Sequence, residues 1–201
     1  MNATKSGLEA GRTRLGALNA LAVVIGSVMG FGASLGLLQT ELEHIKNPMA
    51  ALGCDVNILI GCGASLMSPE AHLLGVPNSA LGIALFSATG TLGLLLLLRV
   101  SMPRIVPLLA GLGTIGGLAF VGYFLFLSAT KFNSLCPYCM VVWSAALILA
   151  GVLIPFALAN IPATANAGKS MQRYTWAWIV SLHLIVVIVV LFSMSDQIGG
   201  I

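Results

Sequence analysis

The residues with the most chemistry in this sequence are four cysteines in two pairs, Cys54 with Cys62 and Cys136 with Cys139. The second pair reads Cys136-Pro137-Tyr138-Cys139 and sits where a short polar stretch meets a long apolar run. That placement puts it on the first turn of a helix. There the peptide dipoles favour a thiolate, and two thiols separated by two residues can close a disulfide and open it again. The same spacing supplies half of a zinc site, for which His44 and His72 are the remaining candidate ligands. The first pair brackets a loop in which Gly61 and Gly63 give the backbone room to carry Cys62 toward another sulfur. A plain structural disulfide is the alternative for either pair. A loop pair beside a helix-start pair also suits thiol–disulfide exchange, in which a thiolate attacks a disulfide sulfur through a mixed disulfide.

The elements that position these thiols follow from composition. Of the 201 residues, 58% are apolar and 7% charged, and the mean hydropathy is +1.03. That excludes an ordinary soluble surface and points to an all-α integral membrane protein. The net charge of +3 does not signal nucleic acid, because the nine basic residues sit in short segments between apolar runs. Residues 1–14 read as a cytoplasmic tail, and 15–38 as a first span that is retained rather than cleaved. A long outer loop, 40–78, breaks the pattern and carries Cys54 and Cys62. Spans follow at 79–98 and 105–130, joined by a turn so short that the two helices are expected to be antiparallel neighbours. Gly111, Gly113, Gly116, Gly117 and Gly122 are expected to let the third span pack tightly. The fourth span starts at the second cysteine pair and ends near residue 159. A polar cytoplasmic loop at 161–173 leads to a fifth span at 174–193, anchored by Tyr174, Trp176 and Trp178, and an outer tail at 194–201.

Basic residues fix the expected orientation, because cytoplasmic loops retain Lys and Arg. With the N-terminus inside, Lys5, Arg12, Arg14, Arg99, Arg104, Lys169 and Arg173 are cytoplasmic, and only Lys46 and Lys131 are outside. All four cysteines then fall on the outer, oxidising side, where disulfides are favoured over thiolate metal sites. No metal is expected.

Over residues 15–160, the order of these features resembles the vitamin K epoxide reductase family in its bacterial form. The motifs that carry the resemblance are Cys54 and Cys62 in the loop, Ser68, Pro77-Asn78-Ser79 opening the second span, and Cys136-Pro-Tyr-Cys139 opening the fourth. The resemblance implies a four-helix bundle around a quinone at the outer membrane face, with the fifth helix added. It implies that Cys139 faces the quinone, that Cys62 attacks Cys136, and that Cys54 exchanges with a thioredoxin-fold partner. Asn78 matches the family's asparagine that hydrogen-bonds a quinone carbonyl, and Ser68 a hydroxyl residue near the same pocket. Both also read as helix-capping positions. Trp143 stands where vertebrate members carry a pocket tyrosine, and its indole can only donate a hydrogen bond. Phe132 and Met140, with Phe124, are candidate cavity residues that packing alone would also explain.

The expected function is a multi-pass cell-membrane thiol:quinone oxidoreductase. It reoxidises a DsbA-like protein in the periplasm or extracytoplasmic space and passes electrons to menaquinone or ubiquinone, supporting disulfide bond formation. The sequence ends after the fifth span, so the partner is expected as a separate protein. Two rivals are a quinone or vitamin K epoxide reductase with thiols as reductant, and a non-enzymatic membrane protein whose loops are stapled by disulfides. Asp55 beside Cys54 reads as a solvated acid, His72 and His183 as structural histidines, and Ser65 as uninformative.

Overall fold

The computed structural model describes residues 15–49, 52–57, 60–193 and 195, so the expected tail at 1–14 and most of that at 194–201 lie outside the described residues. Five helices are long and apolar enough to cross a bilayer. They are α1 (Ala17–Lys46), α3 (Asn78–Leu97), α4 (Ile105–Leu127), α5 (Pro137–Ala159) and α7 (Thr175–Ser193). Between α1 and α3 lie a four-residue helix, α2 (Gly63–Leu66), and a 3-10 turn, Pro69–His72. A single π turn, Ser128–Phe132, prolongs α4. The chain is a multi-pass, all-α membrane protein.

α5 is the centre of the bundle. It packs against α1, α4 and α7, and Leu147, Leu149, Val152, Leu153 and Phe156 along it are buried. On the outside, Leu109, Leu112 and Phe126 of α4 and Ile185, Leu191 and Phe192 of α7 are exposed, as a lipid-facing surface requires. α7 is the outlying fifth helix, and it seats Ile179 against Gly151 of α5. His183 on α7 satisfies itself within the helix by donating from Nδ1 to the Ile179 carbonyl at 2.8 Å.

Small residues let α1 and α3 approach closely. The Phe86 ring of α3 lies over Gly30, Ser34 lies over Gly82, and Val23 and Val24 fill the space beside Gly93. Ser27 and Thr89 add a hydroxyl–hydroxyl hydrogen bond of 2.9 Å across the same seam.

Four expectations are corrected by the fold. α1 does not stop near residue 38 but runs on to Lys46, carrying Glu41 and His44 with it. The stretch 161–173 is not an open loop: a 3-10 turn at Pro162–Thr164 leads into helix α6 (Ala165–Arg173), whose Gly168 lies directly against the Ala159 backbone of α5. The second and third spans, α3 and α4, are joined by a short turn yet do not pack on each other; α3 packs on α1 and α4 on α5. Of the α4 glycines only Gly111 makes a close approach, to Ala157, whereas a side chain at Gly113, Gly116, Gly117 or Gly122 would meet open space.

Candidate active site

The separation of α3 from α4 leaves a cavity of about 1020 Å³ between them, floored by α1 and α5. It extends from Asn78 to Leu92 on α3, about 21 Å at 1.5 Å per residue. Gly113, Gly116 and Gly117 form part of its α4 wall, which explains why those glycines touch nothing. The lining is almost wholly carbon. Glu41, Ser65, Asn78, Ser79 and Cys139 stand together at one end, while Ser34, Thr89 and Thr114 are spread along the rest of the wall.

Beside that end, the loop pair and the helix-start pair meet. Cys54 and Cys62 are joined in a disulfide, and Cys136 and Cys139 are free thiols. Cys136 Sγ lies 3.3 Å from Cys62 Sγ, in the buried cluster the two form with Cys54. Cys139, one helical turn on, is half-buried and lines the cavity. Among the three buried sulfurs, Cys54 offers the most surface at 7%, against 0% for Cys62 and 3% for Cys136.

Local sequence explains how the sulfurs are brought together. Asp55 Oδ1 accepts the backbone N–H of Cys62 at 2.7 Å and of Gly63 at 3.2 Å, so its carboxylate caps α2 and fixes the disulfide's second cysteine. Ser65 Oγ donates to the Cys62 carbonyl at 3.0 Å. On the other side, Cys136 holds the extended N-cap position of α5, with Pro137 as the first helical residue. A parallel bridge between Ile60 and Leu135 ties the two segments by backbone, with Gly61 N–H donating to the Leu135 carbonyl at 3.1 Å.

The Cys136 thiol is held below the usual cysteine range. A hydrogen bond from the Cys139 thiol is the main cause, and the N–H groups of Cys139 and Tyr138 at the helix start add to it, against burial and the Asp55 carboxylate. A thiol so lowered is the better leaving group when a mixed disulfide at Cys136 is opened.

The remaining residues expected at the site fall into two groups. Asn78 and Trp143 line the cavity. Asn78 is the first residue of α3 rather than its cap, which is Pro77. Its Nδ2 donates to the Glu70 carbonyl at 2.6 Å, and its Oδ1 is buried without a partner. A buried orphan acceptor in a cavity mouth fits a ligand that brings a hydroxyl, such as the reduced form of a quinone. Ser68, Phe132 and Met140 stand outside the lining. Ser68 donates to the Ser65 carbonyl at 2.8 Å, and Phe132 and Met140 pack on the Val121, Phe124, Leu127 and Trp143 cluster behind the wall. Among the described residues, one group of Cys, His, Asp and Glu has metal-ligand spacing, Cys54 with Asp55 and Cys62, and its two sulfurs are bonded to each other.

The sequence reading missed Glu41, Ser65 and Ser79. The acid at position 41 follows an apolar run and looks like a solvated loop residue, yet it is 7% exposed. The one signal for it was the string of small and polar residues down α1, which continues in phase to Thr40 and Glu41.

The model of the vitamin K epoxide reductase family matches residues 21–154, well over half of the chain. The chain belongs to the vitamin K epoxide reductase family. No curated protein matches it. The family's matched segment takes in all but the first turn of α1, both cysteine pairs and the whole cavity wall, and ends within α5, so α6 and α7 lie beyond it. Members of the vitamin K epoxide reductase family are membrane thiol oxidoreductases that use quinone-type acceptors, and both cysteine pairs of this chain lie within the matched segment.

Proposed function

We propose that the protein oxidises a thioredoxin-fold, DsbA-like dithiol protein on the extracytoplasmic side and passes the two electrons to a membrane quinone of the menaquinone or ubiquinone type. The observation that carries this reading is the placement of Cys136: its sulfur is 3.3 Å from Cys62, while its partner Cys139 faces the apolar cavity. One dithiol thereby touches both the loop disulfide and a cavity large enough for a quinone ring and part of its tail.

The incoming partner thiolate attacks Cys54, the more exposed sulfur, and forms a mixed disulfide with release of the Cys62 thiolate. The partner's second thiol then resolves that bond, leaving the partner oxidised and Cys54 and Cys62 reduced. Cys62 attacks the Cys136–Cys139 disulfide at Cys136 and frees Cys139. Cys54 resolves the Cys62–Cys136 bond, which restores the Cys54–Cys62 disulfide and leaves Cys136 and Cys139 as thiols. The structure has the pairing of this last state. A bound quinone would take two electrons and two protons, and closure of the Cys136–Cys139 disulfide supplies the electrons. Asn78 and Trp143 hold the ring, Phe132 and Met140 back Trp143, and Ser68 steadies the turn through Ser65. The direction follows from potentials, since a strongly oxidising dithiol partner is kept oxidised only by a still more oxidising acceptor.

Replacing Cys139 by alanine tests the relay. The variant is expected to accumulate a Cys62–Cys136 disulfide, seen by mass spectrometry of non-reduced peptides, and to lose the absorption change that menadione produces with reduced wild-type protein. Absence of that disulfide, together with an unchanged menadione response, would remove the division of labour between Cys136 and Cys139.

A further inference from the structure

We propose that Glu41 is the proton donor of the cavity, recharged from the outer surface through His72. The inference rests on the reading of the cavity as a quinone site, and starts from what lines it. Of the lining residues only Glu41 and Cys139 bear a carboxyl or thiol group, the kinds of side chain that can give up a proton and take it back. Reduction of a quinone needs two electrons and two protons. Oxidation of Cys136 and Cys139 releases two electrons and two protons, but Cys136 is not part of the lining and its proton leaves on the Cys62 side. Cys139 can hand over one proton. The second, for the other ring oxygen, has to come from a group that is itself in the wall, and Glu41 is the one available.

The surroundings of Glu41 are those of a relay. Its Oε1 is 2.9 Å from His72 Nε2, and while the Glu41 side chain is 9% exposed, that of His72 is 46% exposed. Its Oε2 accepts a hydrogen bond from Ser79 at 3.3 Å. Glu41 also lines a second, smaller pocket of about 360 Å³ together with His44, Ser68 and His72. Only Glu41 and Leu66 belong to both cavities, so the carboxyl stands at the partition between them. His44 Nδ1, in the smaller pocket, is buried without a partner, a site for water. A proton thus passes from surface water to His72, from His72 to the Glu41 carboxylate, and from the Glu41 carboxyl to the ring oxygen as the Cys136–Cys139 disulfide closes. The proton taken up at His72 balances the one released at Cys136.

The groups that bear on the titration of Glu41 are His44 on its own helix and His72 on the 3-10 turn. Ser79 and Asn78 on α3 are neutral, and Glu70 on that turn is paired with Lys131.

Glu41→Gln keeps the shape and the acceptor for Ser79 and removes the proton. In full-length protein in detergent, menadione binding to the oxidised form, followed by tryptophan fluorescence, should change by less than about twofold, and exchange between the two cysteine pairs should not change. Menadione reduction, with dithiothreitol as electron source, should fall by about 100-fold, the scale of a lost general acid. Its pH profile should flatten. Added acetate should restore rate to Glu41→Ala, which a structural role would not allow. His72→Gln, which leaves Glu41 in place, should slow reduction and flatten the same profile.

Wild-type rates in Glu41→Gln would overturn the proposal. So would a loss confined to menadione affinity with kcat kept, which would make Glu41 a binding group. If wild-type protein exchanges its disulfides but neither binds nor reduces menadione or a short-chain ubiquinone, the quinone reading falls and this proposal falls with it. Should Glu41→Gln fail to form the Cys54–Cys62 disulfide, His72→Gln with wild-type rate and pH profile would overturn the relay.

Discussion

Ile60 and Leu135 are bridged backbone to backbone, and each sits beside one half of the sulfur cluster. This short parallel contact, between segments more than seventy residues apart, sets the Cys62–Cys136 separation of 3.3 Å. Gly61 is its weak point, because a methyl group there would come within 2.7 Å of Asp55 Oδ1, the acceptor that caps Cys62 and Gly63. Gly61→Ala is expected to displace the carboxylate and to slow Cys62–Cys136 exchange by about tenfold, the equivalent of one charged hydrogen bond. Quench-flow trapping of the thiols reads the rate. An unchanged rate would show that Asp55 does not hold the pair.

Cys62→Ala leaves Cys54 without a resolving thiol. The proposed partner has no disulfide to open in this variant, but the Cys54 thiolate can attack the partner's own disulfide, and the mixed disulfide formed is then resolved only by the partner's second thiol and not by Cys62. A thioredoxin-fold protein is therefore expected in disulfide linkage with Cys62→Ala purified under non-reducing conditions, and not with Cys54→Ala. Equal recovery from both would place the docking cysteine elsewhere.

The α4 glycines divide into two kinds that look alike in sequence. Gly111 is packed, with Ala157 2.5 Å from where its Cβ would be, whereas Gly117 faces the cavity with nothing near it. Gly111→Val is expected to lower stability by about 1–3 kcal/mol, as overpacking does, read as a fall in the thermal midpoint in detergent. Gly117→Leu should leave that midpoint unchanged or raised and should instead weaken menadione binding by filling the cleft. If both variants lose stability alike, α3 and α4 are closer than described.

Much of this was legible beforehand, for physical reasons. Five apolar runs with basic residues between them read as five spans, whereas the spacing of the paired cysteines left redox centre, zinc site and structural disulfide open until the order of the motifs along the chain was weighed. The wall of the site was not legible. Gly113, Gly116 and Gly117 have the same composition signal whether they admit a neighbouring helix or leave a gap, and the difference depends on where α3 goes. Glu41 became a buried acid only because α1 runs on to Lys46 and the turn Pro69–His72 folds back over it, a tertiary event with no local signature. The stretch that forms α6 reads as a loop because it is short and polar, with Pro162, Lys169 and Arg173, and nothing local shows that Gly168 is the point where two backbones touch.

The ion pair of Glu70 with Lys131 joins the 3-10 turn to the π turn at the C-terminal end of α4. The Lys131 ammonium, with hydrogen bonds from the backbone, holds the Glu70 carboxyl below its ordinary range. A depressed carboxyl stabilises the fold above the unfolded pKa, and the contribution is lost as pH falls through the folded value. The thermal midpoint should therefore drop as pH is lowered below about 4.3, the ordinary glutamate value, and Lys131→Met should remove part of that acid dependence while lowering stability slightly at neutral pH. The pair is solvent-exposed, so the effect is small and weakens with salt. Identical acid profiles for wild type and Lys131→Met would exclude the pair as their origin.

Because α3 and α4 share a turn but no packed face, the cleft follows α3 across the bilayer and is open between the two helices, on the side where lipid chains would lie. A hydrophobic acceptor then enters by lateral diffusion within the leaflet, and the concentration that governs occupancy is its mole fraction among the lipids. Apparent Michaelis constants should scale with the amount of lipid or detergent present at fixed total acceptor. The proposed thioredoxin-fold partner, arriving from water, should show no such scaling, so the two half-reactions of the proposed relay would obey different concentration laws.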